Sequence, residues 1–290
     1  MSNFTRELTA QKGIVIWGFF LPTEFLQSEQ INYLKKINSA SCPSVNWIWS
    51  EMDRVWDEAG LDNSKKLHNQ DVANFYSHPI WIANGIFSAT DAISIKHRNS
   101  ISLQVRRFGA QRIADYGGGF GQLALMLHET NPNLKIDIIE PYPSQLGIKR
   151  VEKLSKIRFI QQFEGQYECV IAQDVLEHVE QPIELLTQMV KSTKKGGHLI
   201  FANCFYPVIK CHLPSTFYLR HTFTWVAFGM GLKFIGTVDG AKHAQVFKRV
   251  GEISEGRVVL IVGIAKVLGL FINFVMSIKV NILTKFKVGK

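Results

Sequence analysis

The run Asp115-Tyr116-Gly117-Gly118-Gly119-Phe120-Gly121 constrains the fold more than any other stretch of this chain. It follows a short apolar segment, Arg112 to Tyr116, and precedes an apolar run, Gln122 to Glu129, that reads as a helix. Glycines between a strand and a helix permit positive φ, and they let a ligand approach the unpaired amides of the new helix. A nucleotide-like cofactor is the natural occupant; an ordinary tight turn is the plain alternative.

Beyond this corner, short apolar strands alternate with helices, the pattern of a parallel sheet covered on both faces. We read strands at Arg112–Tyr116, Lys135–Glu140, Arg158–Gln162, Cys169–Gln173, His198–Asn203, Leu232–Val238 and Gln245–Val250. Helices fall at Gln122–Glu129, Pro143–Leu154, Pro182–Ser192 and about Ser215–Gly229. The predicted fold is α/β, Rossmann-like and doubly wound, with a mostly parallel seven-stranded sheet and an N-terminal helical cap region. Three units are expected: the cap at 1–107, the cofactor-binding domain at 108–255 and an apolar, basic C-terminal helix at 256–290.

The cap carries five of the six tryptophans. The spacing of Leu26, Ile31, Leu34 and Ile37 suits an amphipathic helix, and two more helices, Val72–Tyr76 and Ile80–Phe87, flank Ser77-His78-Pro79. Tyr76 and His78 are candidates for a lid over the cofactor, although the helix-breaking proline explains them equally well. The apolar stretch Ile14–Leu21 is not expected to be a signal core, because Glu7 precedes it and no small-residue cleavage site follows. Pro22 and Thr23 read as a break and a helix start.

Charge selects the cofactor. Gly119, Gly121 and Ala124 also fit a dinucleotide pattern, so NAD is the rival. Asp115 opposes it, since a carboxylate beside a pyrophosphate repels it, whereas a sulfonium cofactor has no phosphate and ends in an ammonium group. Glu140 closes the second strand, where an acid accepts hydrogen bonds from both ribose hydroxyls. Gln173-Asp174-Val175-Leu176-Glu177-His178-Val179 leaves the fourth strand at the same edge of the sheet, and Lys195-Gly196-Gly197-His198 introduces the fifth.

Taken together, these motifs resemble the class I S-adenosylmethionine-dependent methyltransferases, especially a small-molecule branch, ubiquinone-type, with a Leu-Glu-His-Val signature. The match covers about residues 108–205. The resemblance implies that Asp115, Gly117 and Gly119 surround the methionine end of S-adenosylmethionine and that Glu140 holds its ribose. Gln173 and Asp174 would border the sulfonium. Gln162 stands where the family often has an acid beside adenine, and a glutamine can still pair with the adenine amino group. It further implies methyl transfer to an oxygen or nitrogen, less readily a carbon, of a small-molecule, sugar or natural-product acceptor. Alternatives are a lipid or lipid-linked glycan acceptor at a membrane, or a binding module without turnover.

His178 and His212 are the candidate bases, since an imidazole titrates near neutrality. The plain alternative is that Glu177 and His178 orient their loop. Asp174, Glu177 and His178 have the residue types for a divalent metal, but no metal is expected. Beyond the fifth strand, where this family commonly builds its acceptor wall, Tyr206, His212, Tyr218 and His221 are candidate substrate contacts.

The excess of 33 Lys plus Arg over 24 Asp plus Glu could favour nucleic acid, but no basic run alternates with aromatics, and we expect no nucleic-acid partner. Part of the excess lies in a tail: five lysines fall between Lys266 and Lys290, and no acid follows Glu255. Val258–Leu283 is nearly continuously apolar, so it either packs on the domain or lies on or in a membrane. Lys266 would be costly inside a span, and the basic flank Lys279–Lys290 suits an anionic cytoplasmic leaflet. Cys42, Cys169, Cys204 and Cys211 show neither zinc nor disulfide spacing, so a reducing cytoplasm is the expected compartment.

Overall fold

The computed structural model describes residues 12–288, and side chains through residue 276. Glu7 therefore lies outside the described residues, as do the side chains of the basic flank Lys279–Lys290.

The described residues begin with a hairpin that the helical reading of the cap did not include. Strands β1 (Gly13–Ile16) and β2 (Phe19–Pro22) pair antiparallel around Trp17 and Gly18, both at positive φ. This is the turn geometry that follows the right-handed twist of a two-residue hairpin. Thr23 does start a helix, but only a single 3-10 turn, Thr23–Phe25. Helices α1 (Ser28–Ile37), α2 (Val45–Glu58), α3 (Asn69–Ser77) and α4 (Ile80–Thr90) follow. The interruption at Ser77-His78-Pro79 survives as the break between the last two. Helix α5 (Ala92–Phe108) starts on Asp91, whose carboxylate accepts from Ser94 N at 2.7 Å.

The sheet is built from β3 (Arg112–Tyr116), β4 (Lys135–Ile139), β5 (Ile157–Ile160), β6 (Tyr167–Gln173), β7 (Thr193–Ala202), β8 (Leu232–Val238) and β9 (Ala241–Arg249). Their order is β5-β4-β3-β6-β7-β9-β8, and β9 runs antiparallel to both of its neighbours. The seven-stranded, mostly parallel Rossmann-like sheet is thus present. Sequential strands depart from β3 in one direction and from β6 in the other, so a crevice opens between their carboxyl ends.

Alternating side chains give the sheet two buried faces. Ala114, Ile139, Val170 and Phe201 pack with Leu186 and Met189 of α8 (Pro182–Ser192). Ile113, Ile138, Ile171 and Ile200 pack with Ile101 and Val105 of α5 and with Leu123 and Leu127 of α6 (Gln122–Thr130). A third cluster joins the cap to the crevice: Trp56, Phe75 and Ile86 pack with Phe120 of the glycine turn, Leu146 of α7 (Gln145–Val151), and Ile209 and Leu213 beyond β7. The predicted helix at about Ser215–Gly229 is two pieces, a 3-10 segment Pro214–Arg220 and α9 (Phe223–Gly229), parted at His221-Thr222. A long helix, α10 (Glu255–Val288), is the last described element.

Candidate active site

The glycine turn stands at the carboxyl end of β3. Gly117 sits at φ +69°, and a Cβ there would lie 2.6 Å from Val175 Cγ2, so both backbone shape and space exclude a side chain. Beneath the turn is Asp115, 2% exposed, close enough that a Cβ on Gly118 would lie 2.7 Å from its Oδ2. Among the described residues that oxygen has no hydrogen-bond partner. Burial raises the Asp115 carboxyl to about 7, against the pull of the Arg98 guanidinium and with a push from Glu140.

Glu140 follows β4 and reaches back to the turn, where its Oε2 accepts from Gly119 N at 2.9 Å. Burial raises its carboxyl, opposed by the amides of Gly119 and Tyr142. Asp115, Gly117, Gly119 and Glu140 therefore share one corner. Gln173 ends β6 across the crevice and Asp174 follows it. Asp174 is exposed, has φ +50°, and donates its amide to Ala202 O at 2.7 Å. Gln162 is exposed two residues beyond β5, and among the described residues no contact ties it to the turn.

The Leu-Glu-His-Val turn holds the segment after β7. Glu177 is fully buried, its Oε1 accepts from Cys204 N at 2.5 Å, and its carbonyl accepts from Leu213 N at 2.9 Å. Its Oε2 has no partner among the described residues, and burial, with Asp174 nearby, raises the carboxyl to about 8. His178 Nδ1 lies 3.1 Å from Cys211 O, and His212 Nδ1 lies 2.9 Å from Tyr206 O. A carbonyl can only accept, so both Nδ1 atoms carry hydrogen and both Nε2 lone pairs are left available.

The two imidazoles, 4.7 Å apart, are not equivalent. Burial and the neighbouring His212 push His178 down to about 3, which leaves a neutral ring of low basicity. Burial also lowers His212, but the Tyr206 carbonyl and Asp174 oppose the shift. Donor atoms of Glu177, His178 and His212 lie within 4.8 Å of one another, a set with the chemistry to hold a metal. That set differs from the sequence-derived one, because His212 takes the place of Asp174.

The cap closes the far side. Tyr76 stacks on Tyr142, rings parallel within 2° at 6.1 Å, and meets His178 edge-on at 6.5 Å, so it bridges the two banks of the crevice. His78 does something else: its Nδ1 accepts from Ile80 N at 3.1 Å, and its ring packs on Tyr33. Lys210 N donates to Asp53 at 2.7 Å, which pins the segment after β7 to α2.

The four acceptor-wall candidates separate. Tyr206 is exposed beneath the Arg220 guanidinium, 4.7 Å from its ring, and His212 is buried beside His178. Tyr218 is a correction: it is 5% exposed and packed in the core beneath α10, where only burial acts on its hydroxyl. His221 is exposed at the end of the 3-10 segment, with no contact to the crevice among the described residues. Arg98 of α5 was not identified from the sequence, although its charge acts on both Asp115 and Asp174. A single arginine in a cap helix gives no sign of which strand ends lie beneath it.

The model of a methyltransferase domain matches residues 48–228, more than half of the chain. The chain belongs to this family. It is a class I S-adenosylmethionine-dependent methyltransferase. The family match does not distinguish the Leu-Glu-His-Val branch, which rests on the motif alone. Human N-acetylserotonin methyltransferase, solved in complex with S-adenosylmethionine, is 14% identical over 86% of this chain and 81% of its own, with a TM-score of 0.50. An O-methyltransferase family protein from Burkholderia thailandensis is 13% identical over 81% of this chain and 78% of its own, with a TM-score of 0.49. Mitomycin 7-O-methyltransferase is 13% identical over 70% and 67%, with a TM-score of 0.48. At such identities the likeness is one of fold. No curated protein matches the sequence.

The methyltransferase's own residues fit this cofactor on independent grounds. A buried carboxylate oxygen without a partner suits the ammonium of a methionine group, and a turn with no room for a side chain suits close approach by a ligand.

Proposed function

We propose that this methyltransferase acts on a hydroxyl oxygen of a small-molecule acceptor and that His212 removes the hydroxyl proton. The unpartnered Oδ2 of Asp115 beneath the glycine turn is the observation that carries the cofactor half of the reading. In it, Asp115, Gly117 and Gly119 hold the methionine end, Glu140 accepts from the ribose hydroxyls, and Gln173 and Asp174 border the reacting centre. Gln162 is the candidate partner for the adenine amino group.

When bound, S-adenosylmethionine supplies the methyl group and leaves as a neutral thioether. The task left to the protein is to hold the acceptor oxygen in line with the methyl carbon and to keep water out, for which Tyr76 and Tyr142 form a roof. His212 Nε2 takes the hydroxyl proton as the new oxygen–carbon bond forms, and Asp174 stabilises the imidazolium that results. His178, too weakly basic for that task, acts as a positioning residue that holds Cys211 and thereby its neighbour His212. Tyr206 lines the acceptor side. A nitrogen acceptor arriving unprotonated would have no use for this base, which is why oxygen is preferred here. Four free cysteines suit a reducing cytoplasm.

The test is calorimetric titration with S-adenosylmethionine and with NAD in parallel, followed by mass detection of methylated products against a panel of hydroxylated and amine acceptors. Micromolar affinity for the former alone is expected, weakened at least about tenfold by Glu140→Ala. Unchanged binding by that variant would remove the ribose assignment.

A further inference from the structure

Helix α10 is long and apolar enough from Glu255 to Met276 to cross a membrane, yet one side of it is packed against the domain. Three polar side chains occur between residues 257 and 276, and each makes a contact with the domain, although Arg257 and Lys266 stay exposed to solvent. Arg257 Nε donates to Gly229 O at 3.0 Å, Asn273 Nδ2 donates to Phe217 O at 2.9 Å, and Lys266 Nζ stands 5.8 Å from the centre of the Tyr218 ring. Contact is close, since a Cβ on Gly269 would collide with the carbonyl oxygen of Tyr218.

The outer side has no such groups. Val259, Leu260, Val267, Leu270 and Phe271 are each at least 60% exposed, and Trp225 and Phe228 of the adjoining α9 are also exposed. An apolar surface of this length is costly in water. What covers it is indicated by charge: no acid follows Glu255, while Lys279, Lys285, Lys287 and Lys290 follow the apolar stretch. Such a basic tail repels a second copy of the same tail and is attracted to anionic headgroups.

Orientation follows from the packing. Contacts to the domain run from Arg257 to Asn273, roughly 24 Å of helix at 1.5 Å per residue, so a helix crossing the bilayer would draw the folded domain in with it. We propose that α10 is an in-plane membrane anchor, with the outward face Val259 to Phe271 seated among the acyl chains of an anionic phospholipid surface and Trp225 and Phe228 at its border. The sequence alternatives, packed on the domain or lying on a membrane, are then two sides of one helix. This inference is independent of the acceptor reading.

The experiment is flotation of the full chain with vesicles of phosphatidylcholine, with and without about a quarter phosphatidylglycerol. Binding to the anionic vesicles, reduced by salt and released by alkaline carbonate, is the expected result. The exposed-face triple variant Val267→Glu, Leu270→Glu and Phe271→Glu should lose at least about tenfold in bound fraction while S-adenosylmethionine affinity stays unchanged, which excludes misfolding. Equal flotation of that variant, resistance to carbonate, or a stable lipid-free dimer in place of vesicle binding would each overturn the proposal. None of these outcomes bears on methyl transfer.

Discussion

Asp115 and Asp137 lie one register step apart on neighbouring strands, since Ala114 pairs with Asp137 and Asp115 with Ile138, and they face opposite sides of the sheet. Both are buried. Every oxygen of Asp137 is used: Oδ1 accepts from Arg158 Nε at 2.6 Å, and Oδ2 from Arg112 at 2.7 Å and the Tyr167 hydroxyl at 2.9 Å. Burial pushes its carboxyl up, but these hydrogen bonds outweigh that and hold it below the usual range. Asp115 has an unpartnered oxygen and a carboxyl raised to about 7. The contrast separates a carboxylate that completes the fold from one that awaits a ligand.

The largest effect expected on the crevice side is from His212→Ala, which should lower kcat by about 10²- to 10⁴-fold with little change in S-adenosylmethionine affinity. A loss under about tenfold in single-turnover assays would return the base role to another group. Next, Asp115→Asn should weaken S-adenosylmethionine binding by about 10- to 100-fold without lowering Tm, because the substitution removes a buried charge that lacks a partner. If Asp137→Asn weakened binding as much, the contrast between the two aspartates would collapse.

On the other face, Asp137→Asn should cost roughly 2–3 kcal/mol in denaturant titrations, below a fully buried ion pair because Arg112 and Arg158 are partly exposed. The smallest effect is in pH. The ionised form of Asp115 binds a cation, so affinity should rise as pH approaches about 7, by no more than the loss expected of Asp115→Asn, and level off, then fall as the ligand's ammonium deprotonates near about pH 8. In the unliganded chain the sign reverses: the fold retains a proton on Asp115 that the unfolded chain gives up near about pH 4, so stability falls from there to about pH 7. Asp115→Asn should flatten both profiles.

Local pattern carried much of the fold. Arg112–Tyr116, Pro182–Ser192 and Leu232–Val238 have the bounds read from their apolar runs, and the glycine turn sits at the strand-to-helix junction. The hairpin was not legible, because Trp17-Gly18 lacks the Asn-Gly or Asp-Gly signature and its strands read as one apolar run. Nor was the face of Tyr218, since the break at His221-Thr222 changes which side chains meet α10.

In the crevice, Asp115 and Glu140 stood out because their spacing from the turn is fixed within one strand–helix–strand unit. Arg98 and the bridging position of Tyr76 did not, since they depend on how cap helices lie across strand ends far along the chain. Sequence alone determined where the backbone would turn and where carboxylates would stand near that turn, because those are consequences of residue type and short spacing. Only tertiary structure decided which polar groups found partners, at Asp137 and Lys266, and which did not, at Asp115, because pairing depends on distance in space between elements that are remote in the chain.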